Sequence, residues 1–321
     1  MTLDIKNMSA KEMKELVNKE LEEQIKDPKK FASTIKLIYS PNKRAIIAKY
    51  SLTNALLLLR QNKNISDLKT FKGWEREGAQ VLKGQKALYA FAPIKSCNNK
   101  EHAKNPKLCP DNCQDKYVAF RKIALFDISQ TSKAMDLVKN DQSPEALNDY
   151  RKLLHYLNEQ KPFDYEEYVA SSQTEAMGKS WMMGNIANIS VACNQENKNL
   201  ALTLLHEFGH YSLEHLTDLK GYQGHVRGVK ETEAEMYAMI SGSMLGISND
   251  ADIDNQAAYI TSWSKQTNED KPLKVFEHVA SVLRQDFKPL LDQVTNQTTV
   301  EKNQSEQVSS NQINHSIEPQ E

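Results

Sequence analysis

Leu202-Thr203-Leu204-Leu205-His206-Glu207-Phe208-Gly209-His210 is the stretch whose residue types and spacing can do chemistry. Two histidines four residues apart on a helix project from one face, one turn apart, so their imidazoles can close on a single tetrahedral metal ion. Glu207, next to the first of them, is placed to take a proton from a water that such an ion activates. H-E-x-x-H is the arrangement that metal-dependent hydrolysis uses for this purpose.

A catalytic zinc needs a third protein ligand and one open position. A metzincin would take a Gly and a further His at fixed places after His210, but Leu213 and Leu216 stand there. Glu214 shares the face, yet eight residues at a rise of about 1.5 Å put it roughly 12 Å from His206 if the helix continues. The better donor is Glu231, which opens a second helical segment running to about Gly246. Ala234 is small enough to let that segment approach the first closely. Glu235, one turn beyond Glu231, can hydrogen-bond a ligand histidine and fix its tautomer. Glu233 is a rival for the third ligand, but helical spacing turns it away from Glu231 and Glu235. His-His from one helix, Glu from the next and Glu207 as general base and then proton donor make the gluzincin plan, with Zn2+ as cofactor.

These residues need elements to position them. Trp181 to Cys193 reads as a strand ending in a turn, and its Gly184 to Val191 part precedes the helix with the two histidines. In zincins a strand in this position lines the cleft and pairs with an extended substrate. Ser143 caps a helix from Pro144 to Leu157, and Asn255 to Trp263 and Pro272 to Val294 read as closing helices, the last kinked or shortened by Pro289. His225 sits in the loop from Gly221 to Gly228, within reach of a substrate oxyanion or simply as a loop histidine. Thr295 to Glu321 is Gln, Asn, Ser and Glu with almost no large apolar residues, a composition for a disordered tail.

The first half has a different character. Residues 1–125 hold 25 of the 41 Lys and Arg but 13 of the 42 Asp and Glu, leaving 16 against 29 in the remainder. The formal net charge of -1 hides this split. A basic half suits a polyanion as partner. Ser9 and Glu12 fit a capping box for a helix to about Ile25, which Asp27-Pro28 breaks. A second helix through Phe31, Ile35 and Ile38 stops near Pro41, and Ser51 caps a third, the apolar Leu52 to Leu59. Ala87 to Pro93 and Tyr117 to Phe126 read as strands. Lys69, Lys72, Trp74, Arg76, Lys83, Lys86, Arg121 and Lys122 can build the basic groove with aromatic faces that single-stranded nucleic acid requires. By burial tendency Trp74 and Phe71 are core residues more often than stacking platforms.

Between the strands lies a polar insertion, 96–116, with Cys97, His102, Cys109 and Cys113. Three thiols and an imidazole can hold a second, structural zinc, although the spacing matches no standard finger. Asp127 to about Lys139 reads as a linker. No apolar run is long enough to cross a membrane, and the acidic N-terminus without an apolar core gives no secretory signal. Four cysteines in that setting point to a reducing cytoplasm.

The expected architecture is α+β in two domains. Residues 1–130 form an α+β nucleic-acid-binding domain, 131–294 a mainly helical gluzincin-like domain with a small sheet, and 295–321 a tail. In order along the chain, Tyr50 to Leu57, Phe71 to Trp74 with Val81 to Lys86, Phe126 to Thr131, His206 to His210, Glu231 to Glu235 and Tyr259 to Trp263 resemble the ArdC-type antirestriction proteins of plasmids and conjugative elements, including the LtrC-like proteins. The resemblance spans about residues 10 to 290. It implies a single-stranded-DNA-binding domain, a zincin-like metallopeptidase domain and a role in protecting or establishing incoming mobile DNA. It puts zinc on His206, His210 and Glu231, with Glu207 catalytic. The Cys/His insertion and the polar tail depart from the family pattern. Two other functions suit the same residues: DNA protection without catalysis around a structural zinc, and a regulatory metalloprotease that cuts a repressor or restriction component.

Overall fold

The computed structural model describes residues 5–97, 99, 105, 113, 116–134, 147–172, 175–217, 225–266 and 272–293. It mixes helices with two small sheets and divides into two compact units, Met1–Ile25 with Tyr50–Asp141, and Lys26–Lys49 with Gln142–Glu321.

In the first unit, helix α1 (Ala10–Ile25) buries Met13, Val17, Leu21 and Ile25, a stripe at four-residue spacing. Its N-terminus carries the expected capping box: the Ser9 N–H donates to Glu12 Oε2 at 2.7 Å, and the Glu12 N–H to Ser9 Oγ at 3.2 Å. Ser51 caps α4 (Leu52–Gln61), whose Ala55 to Leu59 are buried. Strands β1 (Leu68–Lys69), β2 (Leu88–Cys97) and β3 (Lys116–Asp127) form an antiparallel sheet in the order β1-β3-β2. Side-chain amides of α4 cover the outer edge of β2. Asn54 pairs with both backbone groups of Phe91 at 2.8 and 3.1 Å, and Gln61 with both of Tyr89 at 2.8 Å. An edge strand closed in this way offers no template for further pairing along that stretch. Short helix α5 (Phe71–Arg76) packs Trp74 with Ala79 and Ile128.

Asp127 is fully buried at the end of β3. Its carboxylate accepts from the backbone N–H groups of Ser66, Asp67 and Ser129, while Gln130 reaches back to the Asp127 N–H. Thr131 bridges to Val81, and the Ser132 N–H donates to Gln80 O. The stretch read as a linker from Asp127 is therefore packed structure through residue 134, and residues 135–139 of it lie outside the described residues.

In the second unit, α2 (Pro28–Ile38) and α3 (Arg44–Lys49) are a further departure, since the sequence reading assigned them to the first domain. Phe31 and Tyr39 pack edge-on against Phe276, and Arg44 Nε donates to Met244 O at 2.9 Å, so their apolar and capping partners belong to the C-terminal helices. Helix α6 (Tyr150–Gln160) is capped by Asp149 rather than Ser143, which lies outside the described residues. The second sheet has the order β4-β6-β5, from β4 (Asp164–Tyr168), β5 (Gly178–Met183) and β6 (Ile186–Ala192). The single strand expected from Trp181 to Cys193 is instead the hairpin β5-β6. Gly184, at φ 62, supplies the left-handed conformation its two-residue turn needs. Central β6 is buried along Ile189 to Ala192, which leaves β4 and β5 as the edges.

Four helices complete the unit: α7 (Asn197–Ser212), α8 (His225–Leu245), α9 (Asp250–Gln266) and α10 (Pro272–Asp286). Helix α8 starts six residues before Glu231, where the sequence reading began it. Helix α10 is interrupted at Phe287 and helical turns resume over 288–293, the break falling where Pro289 has no N–H to offer the Gln285 carbonyl. The side chain of Trp263 and the tail 295–321 lie outside the described residues.

Candidate metal centre

Helices α7 and α8 pack with their backbones close. A Cβ added at Gly209 would stand 3.1–3.2 Å from the Tyr237 side chain, and one at Gly242 would stand 2.8 Å from Leu202 Cδ2. Ala234 is buried as expected, but these two glycines set the approach. His206, Glu207 and His210 on α7 thereby face Glu231 and Glu235 on α8.

Three donor atoms converge. His206 Nε2 and His210 Nε2 are 3.2 Å apart, and Glu231 Oε2 lies 3.4 Å from the first and 3.5 Å from the second. A tetrahedral ion with ligand bonds of roughly 2.0–2.1 Å spaces its ligands about 3.3–3.4 Å apart. The three atoms thus outline one face of that tetrahedron. They are the one group of three His, Cys, Asp or Glu with metal-holding geometry among the described residues. His206 Nδ1 lies 3.1 Å from Glu235 Oε2, the contact the sequence spacing called for. A carboxylate only accepts, so Nδ1 carries the proton when the ring is neutral and Nε2 offers its lone pair. His210 Nδ1 is engaged by His215 at 3.0 Å. Two imidazole nitrogens and a carboxylate oxygen with lone pairs aimed at one point suit a divalent metal ion.

The surrounding charges are consistent with this. Burial would raise the Glu231 carboxyl pKa, but hydrogen bonds and charge from His206 and His210 hold it well below the ordinary carboxylate range. Burial lowers the pKa of His206, yet Glu231, Glu235 and Glu207 outweigh it and push it up to about 10 when no metal is bound. Such an acidic surround attracts a cation.

Glu207 is buried, and the Ser180 hydroxyl donates to its Oε2 at 2.7 Å. Strand β5 passes so near that a Cβ on Gly178 would lie 2.7 Å from Glu207 Cγ and from Thr203 Cγ2. A cleft of about 560 Å³ opens over these groups, with Met177 to Ser180 on one wall and Arg227, Ala238 and Gln256 opposite. Edge strand β5, not β6, is the strand along this cleft. The sequence reading missed Ser180 and Gly178 because it merged β5 with β6; the Gly184-Asn185 turn was the signal that separates them.

Of the other predicted residues, Glu214 lies beyond the end of α7 and Glu233 points to His215 instead of the donor triangle. The His225 side chain is outside the described residues. On the first unit, Trp74 is 1% exposed and its Nε1–H donates to Phe126 O at 2.8 Å. It belongs to the core and cannot stack on a base. Lys69 pairs with Asp67 and Glu77 and lies over the Trp74 ring, so it too is committed locally. Lys72, Arg76, Lys83, Lys86, Arg121 and Lys122 are exposed. Among the described side chains of this unit, Phe71 and Phe120 are exposed aromatics, at 49% and 45%. Cys97 and Cys113 place their sulfurs 3.7 Å apart, beyond the roughly 2.05 Å of a disulfide. His102 and Cys109 lie outside the described residues.

Helix α7 thus brings His206 and His210 against Glu231 of α8, three donors that could hold one divalent metal ion, with Glu207 and Glu235 beside them. No protein-family model matches the chain, and no curated protein matches it. Crystal structures similar to it include two of the antirestriction ArdC protein from plasmid R388. The metal-free one is 18% identical with a TM-score of 0.42, covering 76% of this chain and 85% of that one. The Mn(II)-bound one is 17% identical with a TM-score of 0.40, covering 74% and 84%. This likeness is too distant to carry residue roles across. No described helix is long and apolar enough to cross a membrane.

Proposed function

We propose that the second unit is a zinc metallopeptidase and that the first unit binds single-stranded DNA. The 3.2, 3.4 and 3.5 Å triangle of His206, His210 and Glu231 beside a buried Glu207 is the observation that carries the reading. Zinc held by those three residues supplies a Lewis acid that lowers the pKa of water and polarises a carbonyl. Glu207 takes the proton of the attacking water and passes it to the leaving amine. Ser180, donating to one Glu207 oxygen, holds the carboxylate in place. The cleft along edge strand β5 suits an extended peptide, whose backbone can pair with it. Glu207→Gln is expected to keep bound zinc and abolish cleavage of a quenched fluorescent peptide library. Cleavage that survives the change overturns the assignment.

For the first unit, exposed Lys72, Arg76, Lys83, Lys86, Arg121 and Lys122 with Phe71 and Phe120 supply phosphate contacts and ring faces. The 3.7 Å between Cys97 and Cys113 suits two thiolates on one zinc, whose roughly 2.3 Å bonds give a similar spacing. The sequence offers His102 and Cys109 to complete that structural site. The resemblance of the ordered motifs to those of antirestriction proteins supports a role in protecting mobile DNA, which would be exercised in the cytoplasm.

A further inference from the structure

Helix α7 does not run on past Ser212. The Leu213 N–H donates to Gly209 O, the Glu214 N–H to Tyr211 O at 3.1 Å and the His215 N–H to His210 O at 2.9 Å. This is a Schellman closure, and it puts Glu214 in the left-handed region at φ 62, a place glycine usually takes. The closure folds His215 back over the last turn of its own helix. There its Nδ1 meets His210 Nδ1 at 3.0 Å, and its Nε2 meets Glu233 Oε2 at 2.9 Å. Lys230 Nζ holds the His215 carbonyl at 3.2 Å. Both histidines are buried, 3% and 4% exposed.

Only one proton arrangement satisfies every atom of this chain when both rings are neutral. The Glu233 carboxylate accepts, so His215 Nε2 carries a hydrogen and its Nδ1 is an acceptor. His210 Nδ1 must then donate, which leaves the His210 Nε2 lone pair directed at His206 and Glu231. The reverse tautomer of His210 would set two lone pairs against each other at 3.0 Å.

We propose that His215 and Glu233 are positioning residues that lock His210 in its metal-binding tautomer and orientation, as Glu235 does for His206. The inference rests on the metal centre proposed above. It gives each ligand histidine its own carboxylate on α8, one direct and one through a second imidazole. Partners of this kind typically change metal affinity by about 10–100-fold.

The test is zinc alone, titrated into the full chain against a chromophoric chelator. His215→Ala and Glu233→Ala are each expected to raise the zinc Kd by about 10–100-fold. The double variant is expected to be no weaker than the weaker single one, since the two act as one chain. His215→Gln, whose amide offers one acceptor and one donor, is expected to recover most of the loss, a recovery that filling space alone does not give. Additive losses, or a Gln variant as weak as Ala, overturn the relay. Tight wild-type binding unchanged by Glu233→Ala also overturns it, while the metal centre stands. Wild type that takes up no zinc overturns the metal centre and the relay together. If His215→Ala does not fold, Glu233→Ala and His215→Gln decide between these outcomes.

Discussion

At the scale of single residues, the site turns on how little room surrounds Glu207. A methyl at position 178 would press 2.7 Å from Glu207 Cγ and Thr203 Cγ2, neither of which is the free end of a long chain. Gly178→Ala is therefore expected to displace Glu207, the proposed general base, while leaving the proposed ligands alone. A misplacement of about 1 Å costs about 100-fold in rate, so kcat/KM should fall by about that factor with zinc content unchanged. Equal activity in Gly178→Ala would show that Glu207 is not held as described. The two histidines were legible, because helical spacing puts residues four apart on one face; Glu231, on the next helix, was legible only as a downstream candidate with Glu235 one turn beyond it. Ser180, Gly178 and His215 were not. The first two depend on which strand of a hairpin lies at the sheet edge. The third depends on a left-handed turn at Glu214 that no glycine announced.

At the scale of elements, two buried polar anchors decide stability. In the first unit, the Asp127 carboxylate gathers three backbone N–H groups. Asp127→Ala leaves these donors unpaired in the interior, and at about 1–3 kcal/mol per group the unit should lose roughly 3 kcal/mol or more. Urea denaturation reads this as a lower midpoint, and an unchanged midpoint would contradict the anchor. In the second unit, Tyr237 donates to Asp286 Oδ2 at 2.8 Å, and the Tyr156 hydroxyl donates to Asp286 O. Burial pushes the Tyr156 pKa up to about 12, offset in part by a hydrogen bond to the Leu290 backbone and reinforced by Asp286. Tyr237 is raised further in the same direction, first by burial. A folded pKa above the unfolded value of about 10 means the folded state holds its protons more tightly. That stability is fully present below pH 10 and is lost as pH rises toward 12. The thermal midpoint should fall steeply between pH 10 and 11, and less steeply in Tyr156→Phe. Equal slopes would show that Tyr156 stays protonated no better in the folded chain. The helices were legible from caps and periodicity, as at Ser9 and Ser51, whereas Asp27, read only as a break, also caps α2. The α4 amides that close the edge of β2 were not, since Asn54 and Gln61 look like ordinary helix residues until β2 is in place.

At the scale of the whole molecule, the charge split runs parallel to the two proposed activities. The basic half keeps six exposed Lys and Arg of the eight first singled out, after Lys69 and the buried Trp74 are set aside. Charge reversal at Lys72, Arg76 and Lys83 together is expected to weaken single-stranded DNA binding and to flatten its salt dependence, because fewer counterions are released. Affinity measured from low to moderate salt checks this, and an unchanged slope would place the DNA surface elsewhere. The division into units was legible in its chemistry but not in its border. Residues 26–49 follow the first helix in sequence, yet Phe31, Tyr39 and Arg44 find their partners among residues 244–276. No local pattern carries that long-range pairing.

The account stands on the metal centre, and metal content per chain tests it most directly. Purified protein is loaded with zinc, freed of excess and analysed for metal, wild type beside His206→Ala. The account predicts that the variant holds one zinc fewer per chain than wild type, whatever the Cys97 and Cys113 region adds to both. A folded wild type that retains no zinc, or a His206→Ala variant that retains as much as wild type, would contradict it.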